Sequence, residues 1–168
     1  MILGVVLSGG RSSRFGSDKA EALLDGRALI DHARALLAPY VAETRVVGGA
    51  RGDIPDLPRP GMGPLGGIAG ALDHAADHGF TSVVTIACDM PILPDGLLAA
   101  LARRAPSYCP DAPVLGHWPA AVGAQLLAHI DAFPDRSVRR WALSIGALPI
   151  ASGSPVPNVN TPADLATL

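Results

Sequence analysis

Lysine is almost missing from this chain. Of thirteen basic side chains only one is a lysine, Lys19, and the rest are arginines. Asparagine is nearly as scarce, occurring only at Asn158 and Asn160. Cysteine occurs twice, at Cys88 and Cys109, with no metal-ligand spacing. A disulfide between them would need an oxidising compartment that nothing else in the sequence implies, so plain thiols are expected. Charge of one sign is also lacking. The net charge of −2 gives no global pull toward nucleic acid or a membrane surface. Hydrophobic residues make up 49% of the chain, yet no apolar run approaches the roughly 20 residues of a membrane-spanning helix. The opening run Met1–Leu7 is too short and uncharged for a signal peptide and reads as a buried strand. A cytoplasmic address is the expectation.

The 168 residues suit a single domain spanning 1–168. Strand and helix patterns alternate along it. Ile2–Leu7 is a continuous apolar run, as in a parallel strand covered on both faces. Leu29–Ala38 has apolar residues at helical spacing and is stopped by Pro39. Thr44–Gly48 reads as a second strand, followed by a glycine- and proline-rich loop over 49–63. Loops of that length in compact domains are often functional. Pro64 opens a helix, Ser82–Ala87 is a third strand, and Pro94–Arg104 a third helix. A short strand is expected at Val114–Leu115, helices near Gly123–Ile130 and Arg136–Ile145, and a strand near Leu148–Ile150. Thr161 reads as the N-cap of a closing helix that begins at Pro162. Such alternation predicts an α/β fold with a mostly parallel sheet, in which the loop after each strand reaches one edge. Ligands of open α/β sheets bind at that edge.

Chemistry concentrates in the loop after the first strand, Leu7-Ser8-Gly9-Gly10-Arg11-Ser12-Ser13-Arg14-Phe15-Gly16-Ser17-Asp18-Lys19. Adjacent glycines allow close backbone approach, and consecutive N–H groups can cradle an anion. Arg14 offers a fork for phosphate oxygens and Lys19 a compact charge. The loop lacks the Gly-Lys-Ser/Thr of a Walker motif, and its glycines are not spaced as in a dinucleotide fingerprint. A flexible polar turn is the alternative. After the third strand, Ala87-Cys88-Asp89-Met90-Pro91 places Asp89 where the sheet edge meets a cleft. A carboxylate there can hold Mg²⁺, or can cap the turn between Pro91 and Pro94. His74 and His78, four apart on a helix, show no third metal ligand. Trp118 can border the cleft or belong to the core, and Trp141 has core spacing. Arg139 and Arg140 read as a solvated face within reach of an anionic acceptor.

Four segments together resemble a known family. Residues 7–19 resemble the nucleotidyltransferase signature Leu-Ala-Gly-Gly-x-Ser-x-Arg-Met-Gly-x-Asp-Lys, with Phe15 in place of methionine. Gly63-Pro64-Leu65-Gly66-Gly67-Ile68 is similar to the family's second glycine motif. Cys88-Asp89-Met90-Pro91 is similar to its metal motif, and Asn158-Val159-Asn160-Thr161-Pro162 to its closing motif. Order and spacing across nearly the whole chain resemble the molybdenum cofactor guanylyltransferase (MobA-like) family. The asparagine ending favours that branch over cytidylyl- and sugar-phosphate nucleotidylyltransferases, which share the first motif. A non-catalytic nucleotide-binding protein on the same fold is the alternative of a different class.

The resemblance implies a Rossmann-like three-layer α/β/α sandwich of the nucleotide-diphospho-sugar transferase type. It implies GTP and molybdopterin as substrates, Mg²⁺ as cofactor, and molybdenum cofactor insertion proteins as recipients of the product. Leu7, Ser8, Gly9 and Gly10 would contact the nucleotide through their backbone, and Arg14 and Lys19 would hold its phosphates. Gly48 would contact the nucleotide, Asp56 would read the guanine edge, and Asp89 would bind Mg²⁺. Asn158 and Asn160, two apart on an extended segment and so on one side of it, would line the acceptor pocket. Prolines interrupt Ile54–Pro58, where relatives often have a strand. The implied reaction is attack of the molybdopterin phosphate on the α-phosphorus of GTP, which needs no catalytic serine, cysteine or histidine.

Overall fold

The computed structural model describes residues 1–9 and 18–168. Strand β1 (Ile2–Leu7) has the predicted limits. Lys19–Glu21 form a single 3₁₀ turn, followed by a small hairpin of β2 (Leu23–Leu24) and β3 (Arg27–Ala28). The hairpin closes through Asp25-Gly26, both with positive φ, as a two-residue turn of matching twist requires. Then come α1 (Leu29–Leu37), β4 (Glu43–Val47), α2 (Gly63–Asp77) and β5 (Ser82–Ala87). The chain continues through α3 (Leu97–Ala102), β6 (Ser107–Cys109), β7 (Ala112–Pro119) and α4 (Gly123–Ala132). It ends with α5 (Val138–Ser144), β8 (Leu148–Pro149) and α6 (Pro162–Leu165).

Six strands form one sheet in the order β4-β1-β5-β7-β6-β8. β1 lies between β4 and β5 and is parallel to both. β7 is antiparallel to β5 and β6, and β8 is parallel to β6. Five strands therefore share one direction and β7 is reversed. The expectation that every strand feeds the same edge fails at β7 alone.

Alternation along β1 divides the core into two layers. Leu3, Val5 and Leu7 join the cluster that holds α2, α4 and α5, whereas Val6 joins the one that holds α1 and α3. The sheet is thus covered on both faces. From β1 the chain crosses by α1 to β4 on one side, then by α2 to β5 on the other. The ends of β1 and its neighbours form a switch point, where a crevice opens in such sheets.

Several predicted elements shift. α3 begins three residues later than expected because Gly96 adopts a left-handed φ of 76° ahead of it. β7 runs eight residues instead of two, and β6 and the β2–β3 hairpin were not anticipated. Trp118 lies in β7 and is fully buried, so it belongs to the core. Its indole N–H donates to Thr85 Oγ1 at 2.9 Å, and its ring packs 4.7 Å from that of Trp141. Gly116 leaves the space this indole fills, since a Cβ there would collide with the ring. His117 is buried beside it, and burial lowers its pKa. Its ring nitrogens meet Leu101 O and Ser82 Oγ, so it joins β7 to β5 and α3. No helix among the described residues is long and apolar enough to cross a membrane.

Candidate active site

Two features flank the C-terminal end of β1. On the β4 side lies a cleft of about 810 Å³ bounded by Leu7, Gly9, Gly48, Asp56, Gly63 and Gly67, among others. On the β5 side lies a polar cluster built on Lys19 and Asp89. Neighbouring strands sit ~4.8 Å apart, so the two features are separated by only one or two strand spacings.

The cleft depends on close backbone packing. Ser8 N–H donates to Val47 O at 2.9 Å, and Ser8 Oγ donates to Gly48 O at 2.6 Å. Gly48 has a φ of 71°, and a Cβ there would lie 3.0 Å from Gly9 Cα. The two loops therefore touch backbone to backbone, which requires glycine. Ile54 makes one parallel bridge to Val47, so the proline-broken segment keeps a vestige of a strand. That bridge aims the following residues at α2, whose glycines admit them. Leu57 N–H donates to Gly66 O at 3.0 Å, and a Cβ on Gly70 would be driven into the Pro55 carbonyl. Asp56 consequently enters the cleft, with Oδ1 3.8 Å from where a Cβ on Gly48 or on Gly67 would sit. Burial pushes its carboxyl pKa up, partly offset by a hydrogen bond from the Gly61 backbone. The N-terminus of α2 also opens on the cleft at Gly63-Pro64, bringing the positive end of a 15-residue helix.

In the second feature Lys19 Nζ donates to Asp89 Oδ2 at 2.9 Å and to Asn160 Oδ1 at 3.3 Å. The ion pair is mostly shielded, the side chains being 18% and 22% exposed. Cys88 N–H donates to Leu7 O, which fixes Asp89 just beyond the sheet edge. Val159 N–H donates to Asp89 O at 2.9 Å and ties the closing segment to the same place. Val159 is fully buried between exposed Asn158 and Asn160, so both asparagines lie on the open side of this segment. Asp164 Oδ2 accepts from the backbone N–H of Asn160 at 2.7 Å and of Thr161 at 2.8 Å. These bonds hold its pKa below the usual carboxylate range.

Asp89 Oδ1 is buried and has no hydrogen-bond partner among the described residues. An ionised carboxylate oxygen left so at a sheet edge fits a hard cation. Among the described residues no group of three His, Cys, Asp or Glu gathers. A single carboxylate suits Mg²⁺, which retains waters and substrate phosphates as its other ligands.

The structure therefore brings Leu7, Ser8, Gly9, Gly48 and Asp56 to one feature and Lys19, Asp89 and Asn160 to the other. Asn158 shares the face of Asn160 without joining the cluster. Gly10 and Arg14 lie outside the described residues. Asp18 was not singled out from the sequence. Its Oδ1 caps the 3₁₀ turn through Ala20 N–H, and its Oδ2 accepts from Ala50 N–H at 3.4 Å. The signal was an aspartate directly before a turn, the usual N-cap choice. The residues set aside stay outside the site. His74 and His78 stack at 3.9 Å, and Arg140 pairs with Asp135 while lying over Phe133. Cys88 and Cys109 are buried free thiols, and burial pushes that of Cys88 up to about 12.

The family profile described as the MobA-like NTP transferase domain matches residues 4–147. The chain belongs to the MobA-like NTP transferase family. It is thus a nucleotidyltransferase. A molybdenum cofactor guanylyltransferase of Rhizobium leguminosarum bv. trifolii is 36% identical over 188 residues, covering 98% of this chain and 90% of the relative. The molybdenum cofactor guanylyltransferase of Rhodobacter capsulatus is 37% identical over 183 residues, with 98% and 93% covered. Among solved structures, molybdopterin-guanine dinucleotide biosynthesis protein A from Archaeoglobus fulgidus superposes with a TM-score of 0.70 at 24% identity, covering 98% and 95% of the two chains. The 2-C-methyl-D-erythritol 4-phosphate cytidylyltransferase of Thermus thermophilus gives 0.68 at 16% identity, with 99% and 96% covered. The two superpositions establish a shared fold.

Proposed function

We propose that this protein transfers GMP from GTP to the phosphate of molybdopterin and releases pyrophosphate. The observation that carries the reading is the meeting of Lys19, Asp89 and Asn160 beside a cleft that holds Asp56. The names of the relatives support the same substrates. In this reading the guanine occupies the β4 side of the crevice, where the Asp56 carboxylate accepts from its N–H edge. The phosphates extend past the end of β1 toward Lys19. An oxygen of the acceptor phosphate forms a new bond to the α-phosphorus, and the bond from that phosphorus to the bridging oxygen breaks. The acceptor is already an anion, so no proton has to be removed. Catalysis then rests on alignment and on positive charge placed where negative charge gathers. Lys19 supplies such charge, and Asn160 orients the acceptor. Asp89 would hold Mg²⁺ through Oδ1, and the ion when bound would neutralise phosphate oxygens. A cytoplasmic address and delivery of the product to molybdenum cofactor insertion proteins belong to the same proposal.

Pyrophosphate release with GTP, CTP and UTP, each with Mg²⁺ and molybdopterin, tests it. GTP should be used at least about 100-fold better, since a site built to hydrogen-bond one base edge rejects the others strongly. Preference for CTP or UTP would replace the reading with a cytidylyl- or sugar-phosphate transferase. Binding of GTP without turnover would replace it with a non-catalytic nucleotide-binding protein.

Asp56 adds a pH dependence. Its pKa is raised in the folded protein, so the carboxylate needed for guanine is lost at a higher pH than the ordinary value near ~3.9. KM for GTP should rise as pH falls through the raised value, while kcat at saturation changes less. The stability contribution has the opposite sense. A carboxyl with a raised folded pKa favours the folded state when protonated, so lowering the pH through that range adds stability at this group. Profiles of KM for the wild type and Asp56→Asn read the first effect. Parallel profiles for the two proteins would sink the guanine role.

A further inference from the structure

Arg51 lies in the turn after β4, one residue from cleft-lining Gly52 and two from Gly49. Its guanidinium is spread across two carboxylates from different segments. Nε meets Glu21 Oε1 at 2.7 Å and Nη2 meets Glu21 Oε2 at 2.8 Å. Nη1 meets Asp31 Oδ1 at 2.9 Å and Oδ2 at 3.0 Å. All three nitrogens are engaged, a geometry only the planar fork of arginine supplies.

The segments it joins are the ones that matter. Glu21 is the last residue of the 3₁₀ turn that begins with Lys19, and Asp31 lies in the first turn of α1. Ala20, between Lys19 and Glu21, is buried against the α1 side of the core and anchors the turn from below. Arg51 holds it from the solvent side. The contact of Asp18 Oδ2 with Ala50 N–H ties the same two segments a second time. The turn bearing Arg51 is itself closely packed. Gly52 N–H donates to Gly49 O, and a Cβ on Gly52 would lie 2.5 Å from Gly48 O. One side chain thus connects the wall that faces the nucleobase with the turn that delivers the lysine.

We propose that Arg51 is a positioning residue for nucleotidyl transfer, which sets the Lys19 ammonium relative to the Gly48 wall by bridging Glu21 and Asp31. The assignment rests on the proposed role of Lys19 at the phosphates. Arg51 is 39% exposed, and an ion pair so placed contributes little to global stability. Its effect is local. Without the bridge the 3₁₀ turn keeps its anchor at Ala20 and the long 3.4 Å contact of Asp18 with Ala50 but loses its strongest tie to the turn after β4, and a displacement of about 1 Å at a phosphate-holding group costs on the order of 100-fold.

The test compares wild type, Arg51→Ala, Arg51→Lys and Glu21→Gln for thermal midpoint, nucleotide affinity, kcat and KM. Arg51→Ala should unfold within about 3 °C of the wild type, a shift fitting the loss of surface ion pairs. Its kcat/KM for GTP should nevertheless fall by about 10- to 100-fold, with kcat and KM both affected. Arg51→Lys should recover only part, because an ammonium cannot fork onto both carboxylates. Glu21→Gln should fall in the same direction, and adding it to Arg51→Ala should cost little more, as for residues acting as one unit. A kcat/KM within twofold of wild type in Arg51→Ala, or full recovery in Arg51→Lys, would overturn the assignment. GTP affinity by calorimetry separates this outcome from failure of the reaction itself. A wild type that binds GTP and transfers nothing overturns the proposed function, and the affinity of Arg51→Ala then decides the role of Arg51, an unchanged value rejecting it.

Discussion

Lys19→Ala should lower turnover with GTP by about 10²–10³-fold, the usual loss when one preorganised group facing developing charge is removed. Asp89→Ala should abolish the Mg²⁺-dependent reaction. The two residues are 70 apart in sequence and 2.9 Å apart in space. Removing the lysine does more than subtract a charge. Among the described residues Asp89 Oδ1 is already without a partner, and Oδ2 would lose its bond to Lys19. Asn160 would also lose the donor that holds its carboxamide. The double variant should therefore be scarcely worse than the more damaging single variant, since the pair acts as a unit. Steady-state rates of pyrophosphate release at saturating Mg²⁺ measure this. A Lys19→Ala protein that keeps full turnover would remove the lysine from the mechanism, and an unchanged rate in Asp89→Ala would remove the metal site.

Gly70→Ala should damage both stability and nucleotide binding. In an open helix this change gains about 1 kcal/mol by propensity. Here the new methyl group meets the Pro55 carbonyl, a backbone atom that can yield only if the Ile54–Leu57 segment moves. Overpacking of this kind costs about 1–3 kcal/mol, and more where backbone must shift. The net effect should be a thermal midpoint lowered by about 5 °C. The moving segment carries Asp56, so GTP affinity should fall further than the loss of stability explains. Thermal unfolding with and without GTP measures both effects. A variant as stable as wild type with unchanged GTP affinity would show that the close approach of α2 to this loop does not shape the cleft.

These two predictions differ in how visible their residues were beforehand. Lys19 stood out as the only lysine, and Asp89 as a carboxylate at the end of an apolar strand. Gly70 carried no mark, because a glycine's reason lies in what approaches it from elsewhere in the chain. Arg51 was equally anonymous among twelve arginines, and its carboxylate partners lie 20 and 30 residues away.

Local pattern alone determined β1 and β5, both bounded correctly, since short runs rich in β-branched apolar residues between turn signals fit buried strands. It also determined the opening of α2 near Pro64 and the N-cap position of Thr161, which depend on neighbours a few residues away. The placement of Asn158 and Asn160 on one face was legible in the same way. Tertiary structure decided the reversed direction of β7, the burial of Trp118, the strand-like placement of Ile54 that carries Asp56 into the cleft, and the junction of Lys19 with Asp89 and Asn160. Each of these rests on contacts between segments distant in sequence. Only the packing of two helical layers on the sheet determines which segments meet there. The lysine after β1 was thus visible in the sequence, but its distance from the carboxylate opposite was set by the assembled sheet.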